Sequence, residues 1–431
     1  MKYVIDKTKV KALMKEKHIH TQKELANMMD ITPNQLSLIL SHNFNPLKSN
    51  VCKLADVLGG SDVLDSIVTK KKSEQLSLLP KADPSNEYID VSNIKPKKDF
   101  NVVELFAGAG GLALGLEEAG FKDKALVEIE KDAVATLKTN RPKWNVIHED
   151  ITKITADPKG IYKYISPDTE IDLLSGGYPC QSFSYAGKRR GLEDTRGTLF
   201  HDYASILEQL KPKMFLVENV RGLTTMDHGR TLTTMINVFE DIGYHTKYKV
   251  LNAWNYGVAE KRQRMILIGI RDDLNIQYKF PKAHEYKPVL RDVLKNVPDS
   301  PGAKYSKRKY DVLKLVPAGG YWRDLPDDIA KEYMGASYYS GGGRTGMARR
   351  LSWDEPSLTL TTSPSQKQTE RCHPEETRPF TTREYARIQS FPDSWKFEGG
   401  VGSIYKQIGN AVAVNFAKDI GLSIIAALNQ L

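Results

Sequence analysis

The residues of this chain best suited to chemistry fall into a few short runs. Pro179-Cys180-Gln181 follows Gly176-Gly177-Tyr178 and ends the apolar run Ile171-Asp172-Leu173-Leu174, which reads as a short buried strand. A thiol at such a sheet edge is within reach of a ligand, and the proline presets its approach by fixing φ. A lone cysteine is more often a small buried hydrophobe, so its neighbours have to decide. Glu218-Asn219-Val220 follows a strand over Met214–Val217. A nucleophilic thiol and a carboxylate at neighbouring strand ends of one sheet would face the same cleft. Arg262 and Arg264, in Glu260-Lys261-Arg262-Gln263-Arg264, enter a late strand and could hold an anionic or carbonyl group.

A second set of residues suits a nucleoside. Phe106-Ala107-Gly108-Ala109-Gly110-Gly111 lies between a strand over Asn101–Phe106 and a helix beginning near Leu112. Glycines there let the backbone approach a ligand and aim helix N-terminal N–H groups at an anion. The run departs from G-x-G-x-x-G and no Walker lysine follows, so a pyrophosphate and a carboxylate-bearing ligand such as S-adenosylmethionine both stay open. Glu128 ends the next strand, where a carboxylate can accept from both ribose hydroxyls. Asp150 ends the apolar stretch after that and could accept from an adenine amino group. Each acid alone reads as an ordinary surface residue; in order after a glycine turn they form a nucleoside-binding edge.

These residues need elements to position them. The chain has 431 residues, a net charge of +9 and only three cysteines, Cys52, Cys180 and Cys372. That is too few for a disulfide framework or a zinc site and fits a reducing cytosol. No metal-ligand set, signal peptide or stretch long enough to cross a bilayer is expected, so the protein reads as soluble and intracellular. Basic clusters such as Lys188-Arg189-Arg190 and Lys307-Arg308-Lys309 point to a polyanionic partner without choosing DNA or RNA. From residue 99 onward, strands alternate with helices, which predicts a parallel sheet covered by helices, interrupted between about 285 and 375. Residues 69–98 are polar, lysine-rich and broken by prolines, and read as a linker. Residues 1–68 read as a helical module. Thr21 caps a helix over Gln22–Met29, Pro33 opens the next, and the pattern resembles the helix-turn-helix of phage repressors. Asn34, Gln35 and Ser37 would then face the major groove; a docking module that touches no base is the alternative.

From about 101 to 431 the motifs resemble, in content and order, the DNA (cytosine-5) methyltransferases of bacterial type II restriction–modification systems. Phe106-x-Gly108-x-Gly110-Gly111 resembles the family's cofactor loop, Pro179-Cys180-Gln181 its nucleophile motif and Glu218-Asn219-Val220 its acid motif. Arg196-Gly197-Thr198-Leu199-Phe200 is similar to the segment that packs on the cofactor, and Arg262-x-Arg264 to the arginine pair. Arg383-Glu384-x-Ala386-Arg387 with Phe391-Pro392-Asp393 and Gly409-Asn410-Ala411-Val412 are similar to the last two motifs. Tyr178, Ile129 and Ala411 depart from the common pattern without removing a reacting group.

The resemblance implies an α/β architecture: a Rossmann-like S-adenosylmethionine-dependent methyltransferase fold with a smaller target-recognition domain and an N-terminal all-α helix-turn-helix domain. The divisions expected are 1–68, a linker over 69–98, a catalytic domain over 99–284, a target-recognition domain over 285–375 and a return to the catalytic domain over 376–431. It implies Cys180 as nucleophile, Glu218 as stabilising acid, Arg264 on the base carbonyl and Arg262 in support. S-adenosylmethionine would be held by Phe106, Gly108, Gly110, Gly111, Glu128, Ile129, Asp150, Ile151, Pro179, Leu199, Asn410, Ala411 and Val412. Duplex DNA would be met by Ser184 in the loop Ser182–Arg196 and by Arg344, Thr359 and Leu360, with Arg349-Arg350 also suited to a backbone or base edges. A cognate restriction endonuclease would be the functional partner. The enzyme would act as a monomer on DNA, with the N-terminal module as a route to dimers and to control of its own promoter. An RNA cytosine methylase and an inert regulator on the same fold are the competing readings.

Overall fold

The computed structural model describes residues 3–29, 31, 36–37, 39–40, 48–60, 63, 67–70, 87–179, 198–340 and 343–431. Cys180, Ser184, Asn34, Gln35, Gly341 and Gly342 lie outside the described residues. Two compact units divide at 86/87.

In the N-terminal unit, β1 (Tyr3–Ile5) leads into α1 (Lys7–Glu16), α2 (Gln22–Met28), α3 (Lys48–Leu58) and β2 (Val68–Lys70). Asp6 caps α1 by accepting from Thr8 N at 2.9 Å and Lys9 N at 3.2 Å. Thr21 and Glu24 close a reciprocal capping box on α2, as the Thr21 signal predicts. Val10, Met14, Leu25, Leu36, Ile39 and Leu54 share one apolar core. The unit is not purely helical: β1 and β2 pair antiparallel, Tyr3 opposite Lys70. A three-residue strand at each end of the unit is too short to leave a period-2 pattern.

The larger unit begins earlier than the linker reading allows. Tyr88–Ile89 (β3) pairs parallel with Phe280–Pro281, Val91 is buried, and Lys97 N donates to Asn429 Oδ1 at 2.9 Å. Residues 87–98 are therefore part of this unit, fastened by backbone contacts that composition does not reveal.

Its centre is a seven-stranded sheet. The strands are β4 (Phe100–Leu105), β5 (Phe121–Glu128), β6 (Val146–His148), β7 (Leu173–Gly176), β8 (Met214–Val220), β9 (Tyr244–Asn252) and β11 (Gln263–Arg271), with the two-residue β10 (Glu260–Lys261) before the last. The order is β6-β5-β4-β7-β8-β11-β9, all parallel from β6 to β8, with β11 antiparallel to both its neighbours. Chain order reverses between β4 and β7, which makes a crevice at the carboxyl ends of those strands. β7 is buried throughout, which is why its sequence runs apolar rather than alternating.

Helices cover both faces: α4 (Gly111–Ala119), α5 (Lys131–Asn140), α6 (Ile151–Ala156), α7 (Leu199–Leu210) and α8 (Arg230–Asp241). After Phe280–Pro281 (β12), residues 305–372 gather a separate apolar cluster around Leu313, Trp322, Tyr333, Met347 and Cys372, including α9 (Lys307–Leu313) and α10 (Asp327–Met334). Ser357–Leu358 (β13) returns to pair parallel with β10. The chain ends with α11 (Thr382–Ile388), α12 (Val401–Asn410) and α13 (Val414–Leu428). By length and composition alone Val401–Leu428 could cross a bilayer, but it is interrupted by Lys406, Lys418 and Asp419 and is mostly buried in the protein core. It is apolar because α13 packs on α4 and the sheet.

That packing leaves no room for side chains at two glycines. A Cβ on Gly115 would lie 2.4 Å from Ala417 Cβ and 2.6 Å from Val414 O, and one on Gly421 would lie 2.8 Å from Ala119 Cβ. Gly115→Val is expected to lower the unfolding free energy by about 1–3 kcal/mol or more through overpacking, read as a lower urea midpoint with an unchanged slope.

Candidate active site

The sheet register brings the candidate residues into line. Leu105 pairs with Val127 on one side and Gly176 on the other, and Gly176 pairs with Val217. One step beyond that row stand Phe106, Glu128, Gly177 and Glu218. Four chain segments thus deliver their next residue to a single edge of the sheet.

On the left of the crevice the glycine loop is a strained turn. Phe106 has φ +59°, Gly108 +55° and Gly110 +84°, and Gly110 is the N-cap of α4. Left-handed φ at a phenylalanine is uncommon and marks a constrained loop. Gly108 N donates to Glu128 Oε2 at 2.6 Å and Glu130 N to Glu128 Oε1 at 2.7 Å. Both carboxylate oxygens are thereby aimed, and each keeps a lone pair for a further donor. A Cβ on Gly108 would meet nothing within 4 Å, whereas one on Gly110 would strike Leu137 and Trp395, and one on Gly111 would lie 2.2 Å from Val412 O. Gly110 and Gly111 are therefore glycines for packing, and Gly108 fronts open space.

The far end of the chain props this loop. Trp395 Nε1 donates to Ala109 O at 3.2 Å, and Arg383 holds Trp395 O at 2.7 Å. Ala411 and Val412 are buried beside Gly111; Asn410 is exposed. Asp150 caps α6, with Oδ1 accepting from Thr152 N at 2.9 Å and Thr152 Oγ1 at 2.8 Å. Ile151 is buried, Leu199 half-buried, and Ile129 is 57% exposed, an apolar surface beside Glu128. An aimed carboxylate, an open glycine backbone and an exposed apolar side chain fit a nucleoside-bearing ligand such as S-adenosylmethionine. Beneath the loop, burial first and the Asp123 carboxyl second push the pKa of Glu104 well above the usual range.

On the right of the crevice, Glu218 Oε1 lies 2.7 Å from Arg264 Nε, each side chain 13% exposed. Two backbone contacts carry the thiol's segment to that pair. A Cβ on Gly177 would be 3.0 Å from Glu218 Oε2. Asn219 Nδ2 donates to Tyr178 O at 3.0 Å. Tyr178 itself is buried among Phe106, Phe200 and Tyr203, with ring centroids 5.5–6.4 Å away. It fills the core and turns away from the cleft. Pro179 is exposed and is the last described residue before Cys180. Asn219 was not singled out from the sequence; its place between the acid and the strand-end loop is the signal that was there to use.

Arg262 is fully buried. Its Nη2 donates to Gly409 O and Ala411 O, both at 2.9 Å, and its Nη1 to Leu360 O at 3.3 Å. Glu260 Oε1 is 3.6 Å away and accepts from Leu360 N at 2.6 Å. Burial, then Arg264, lowers the pKa of Arg262; burial raises that of Glu260. Neither arginine is a spare cation: Arg262 is committed to carbonyls and Arg264 to Glu218. Thr359 and Leu360 are brought directly against this strand, Thr359 Oγ1 donating to Lys261 O at 2.8 Å and Arg371 holding Thr359 O at 2.9 Å. Glu260 and Arg371 are two buried partners that sequence patterning did not find.

Two other recognition candidates fare differently. Arg344 is partly exposed with φ +41°. Arg350, expected at a DNA backbone or base edges, is instead buried, donating to the carbonyls of Leu313, Val316, His373 and Glu376 and to Thr377 Oγ1 at 2.7–3.2 Å. All its donors are consumed in holding the 305–378 region together. Ser37 is exposed on the N-terminal unit.

The family described as C-5 cytosine-specific DNA methylase matches residues 100–426. The type II methyltransferase M.Sau96I of Staphylococcus aureus is 56% identical over 425 residues, 97% of each chain. The type II methyltransferase M.PspPI of a Psychrobacter strain is 56% identical over 346 residues, 78% of this chain and 81% of its own. Among solved structures, a protein encoded within an E. coli prophage aligns with TM-score 0.57 at 25% identity, covering 77% of this chain and 99% of its own.

Removing the guanidinium at 262 would strand Glu260 and three carbonyls in the interior. Arg262→Ala is expected to cost about 3–5 kcal/mol of unfolding free energy, measured by urea denaturation; a change under about 0.5 kcal/mol would contradict the burial described.

Proposed function

Since the chain belongs to the family of C-5 cytosine-specific DNA methylases, and is accordingly a DNA (cytosine-5) methyltransferase, we propose that it methylates one short duplex site through a covalent Cys180 adduct. The observation that carries this reading is the alignment of Phe106, Glu128, Gly177 and Glu218 one step past a single registered row, with Glu218 paired to Arg264 at 2.7 Å. The type II relatives support a cytoplasmic bacterial role in shielding DNA from a partner restriction endonuclease.

S-adenosylmethionine, when bound, supplies an electrophilic methyl group. In this reading Glu128 accepts from its ribose, Asp150 from its adenine amino group, and the Gly108–Gly111 turn with Asn410, Ala411 and Val412 meets its carboxylate end. Phe106, Ile129, Ile151, Pro179 and Leu199 supply apolar walls.

The chain's own groups then work on the cytosine. C5 is a poor nucleophile in a neutral, electron-poor ring. The Cys180 thiolate adds to C6, which moves the ring electrons toward C5, and Glu218, hydrogen-bonded to N3 and the exocyclic amine, offsets the charge that develops. Arg264 holds the base carbonyl and keeps Glu218 oriented. Once C5 is alkylated, a base takes its proton, the electron pair returns to the ring and the S–C6 bond breaks. A free thiol of pKa about 8.5 is only a few per cent thiolate at pH 7. Nearby cationic groups and backbone donors must therefore favour the anion. The target base has to leave the stack, at a cost of a few kcal/mol. Contacts from Ser184, Arg344, Thr359 and Leu360 would offset that cost. The N-terminal module adds DNA affinity and, through Asn34, Gln35 and Ser37, a means of acting on its own promoter.

Purified protein with methyl-labelled cofactor is expected to label duplex DNA and not transfer RNA, with bisulfite sequencing placing the mark at one motif. Cys180→Ala should abolish labelling, and Glu218→Gln should slow it about 10²–10³-fold. Label in RNA alone, or full activity in Cys180→Ala, would overturn the reading.

A further inference from the structure

Residues 1–86 carry thirteen lysines, no arginine and nine acids, a net +4. The charge is unevenly placed. Residues 31–46, which span the expected groove-facing helix, contain no lysine or arginine, whereas lysines stand at 7, 9, 11, 15 and 17 on and beside α1. A helix that reads bases still needs phosphate contacts to fix its register on the duplex. The segment expected to enter the groove cannot supply charged ones.

Lys7, Lys11 and Lys15 lie four residues apart, which puts them along one edge of α1 over about 12 Å. All three are exposed, while Val10 and Met14 bury the adjoining face in the unit's core. None has an ion-pair partner among the described residues. Asp6, adjacent to Lys7, is occupied in capping α1. Glu16 falls near Lys9 on the other flank, at about 100° per residue. Like charges four apart disfavour a helix, so this edge is a liability in the free protein that a polyanion would relieve. Duplex DNA, with one charge per roughly 1.7 Å of axis, presents several phosphates to a stripe of this length.

We propose that the Lys7–Lys11–Lys15 edge of α1 is a phosphate-gripping surface for duplex DNA, independent of sequence and separate from the methylation cleft. The proposal rests on the chain being a DNA-acting enzyme, and its test does not depend on catalysis. A labelled 30-base-pair duplex of A·T pairs holds no cytosine and so no methyl acceptor. Binding of the full chain to it is measured across a potassium chloride series. In the Lys7→Gln, Lys11→Gln, Lys15→Gln triple variant, the slope of log K against log salt should shrink by about 2–3, near 0.9 per lost phosphate contact. The matching arginine triple variant should keep the wild-type slope, which separates charge from folding. Methyl transfer at saturating duplex and low salt should be unchanged in both. A slope within about 0.5 of wild type in the glutamine variant overturns the proposal, as does a defect seen with phosphatidylglycerol vesicles and not with DNA. Failure of the proposed function would appear instead as absent methyl transfer by the unaltered protein.

Discussion

The cleft depends on one buried cation. Arg262 sits at the start of β11 with its guanidinium shared among Leu360 O, Gly409 O and Ala411 O, and with Glu260 as its near counter-charge. An ion taken out of water costs several kcal/mol unless hydrogen bonds replace its hydration. Here those bonds come from three parts of the chain: the strand of the arginine pair, the Thr359-Leu360 segment and the break between α12 and α13. Moving any of them would break the set. The Thr359-Leu360 segment, the turn between α12 and α13 and the strand bearing Arg264 are therefore tied together through one side chain.

The rest of the site follows from how these tied segments meet the parallel sheet. β8 and β11 are antiparallel, with Arg264 opposite Val220 and Ile266 opposite Glu218. The diagonal places Arg264 against Glu218, and the pair closes at 2.7 Å. Asn219 carries the same strand end across to Tyr178 O, whose side chain is wedged in the aromatic core. The acid and the segment leading to the thiol are thus fixed by one tripeptide. Glu218 meets Arg264 and Asn219 holds the loop; they take different partners because strand neighbours point to opposite sides.

Much of this was legible in the sequence, for identifiable reasons. The central strands are continuous apolar runs because both faces are covered, so Met214–Val217 and the run ending at Leu174 stood out. Glu128 could be placed at the end of β5 because an acid after an apolar run marks a strand end; the same signal put the end of β8 at Val217, whereas pairing with β11 carries that strand on through Glu218 to Val220. β7 runs on through Gly176 because its parallel neighbours hold it on both sides, a pairing that glycine content hides. Glu260 was not legible: in Glu260-Lys261-Arg262-Gln263-Arg264 it reads as one more solvated charge, and its partner Leu360 lies a hundred residues on. Arg350 misled for the same reason, since the carbonyls that consume it come from 313 to 376. Burial of a charge is decided by distant partners, and periodicity reports only near ones. The packed segment 87–98 was missed likewise, its contacts coming from β12 and the C-terminus.

In the proposed reaction a sulfur at position 180 bonds to the ring of an extruded cytosine while Glu218 steadies it. Its most direct test is intact-mass and peptide analysis after incubation with S-adenosylmethionine and a duplex carrying 5-fluorocytosine at the methylated position, where fluorine blocks the final elimination. A stable adduct on the peptide containing Cys180, absent when the duplex lacks the target, is the predicted result. Efficient methylation of the normal duplex with no adduct on the fluorinated one, or an adduct on another residue, would contradict the account.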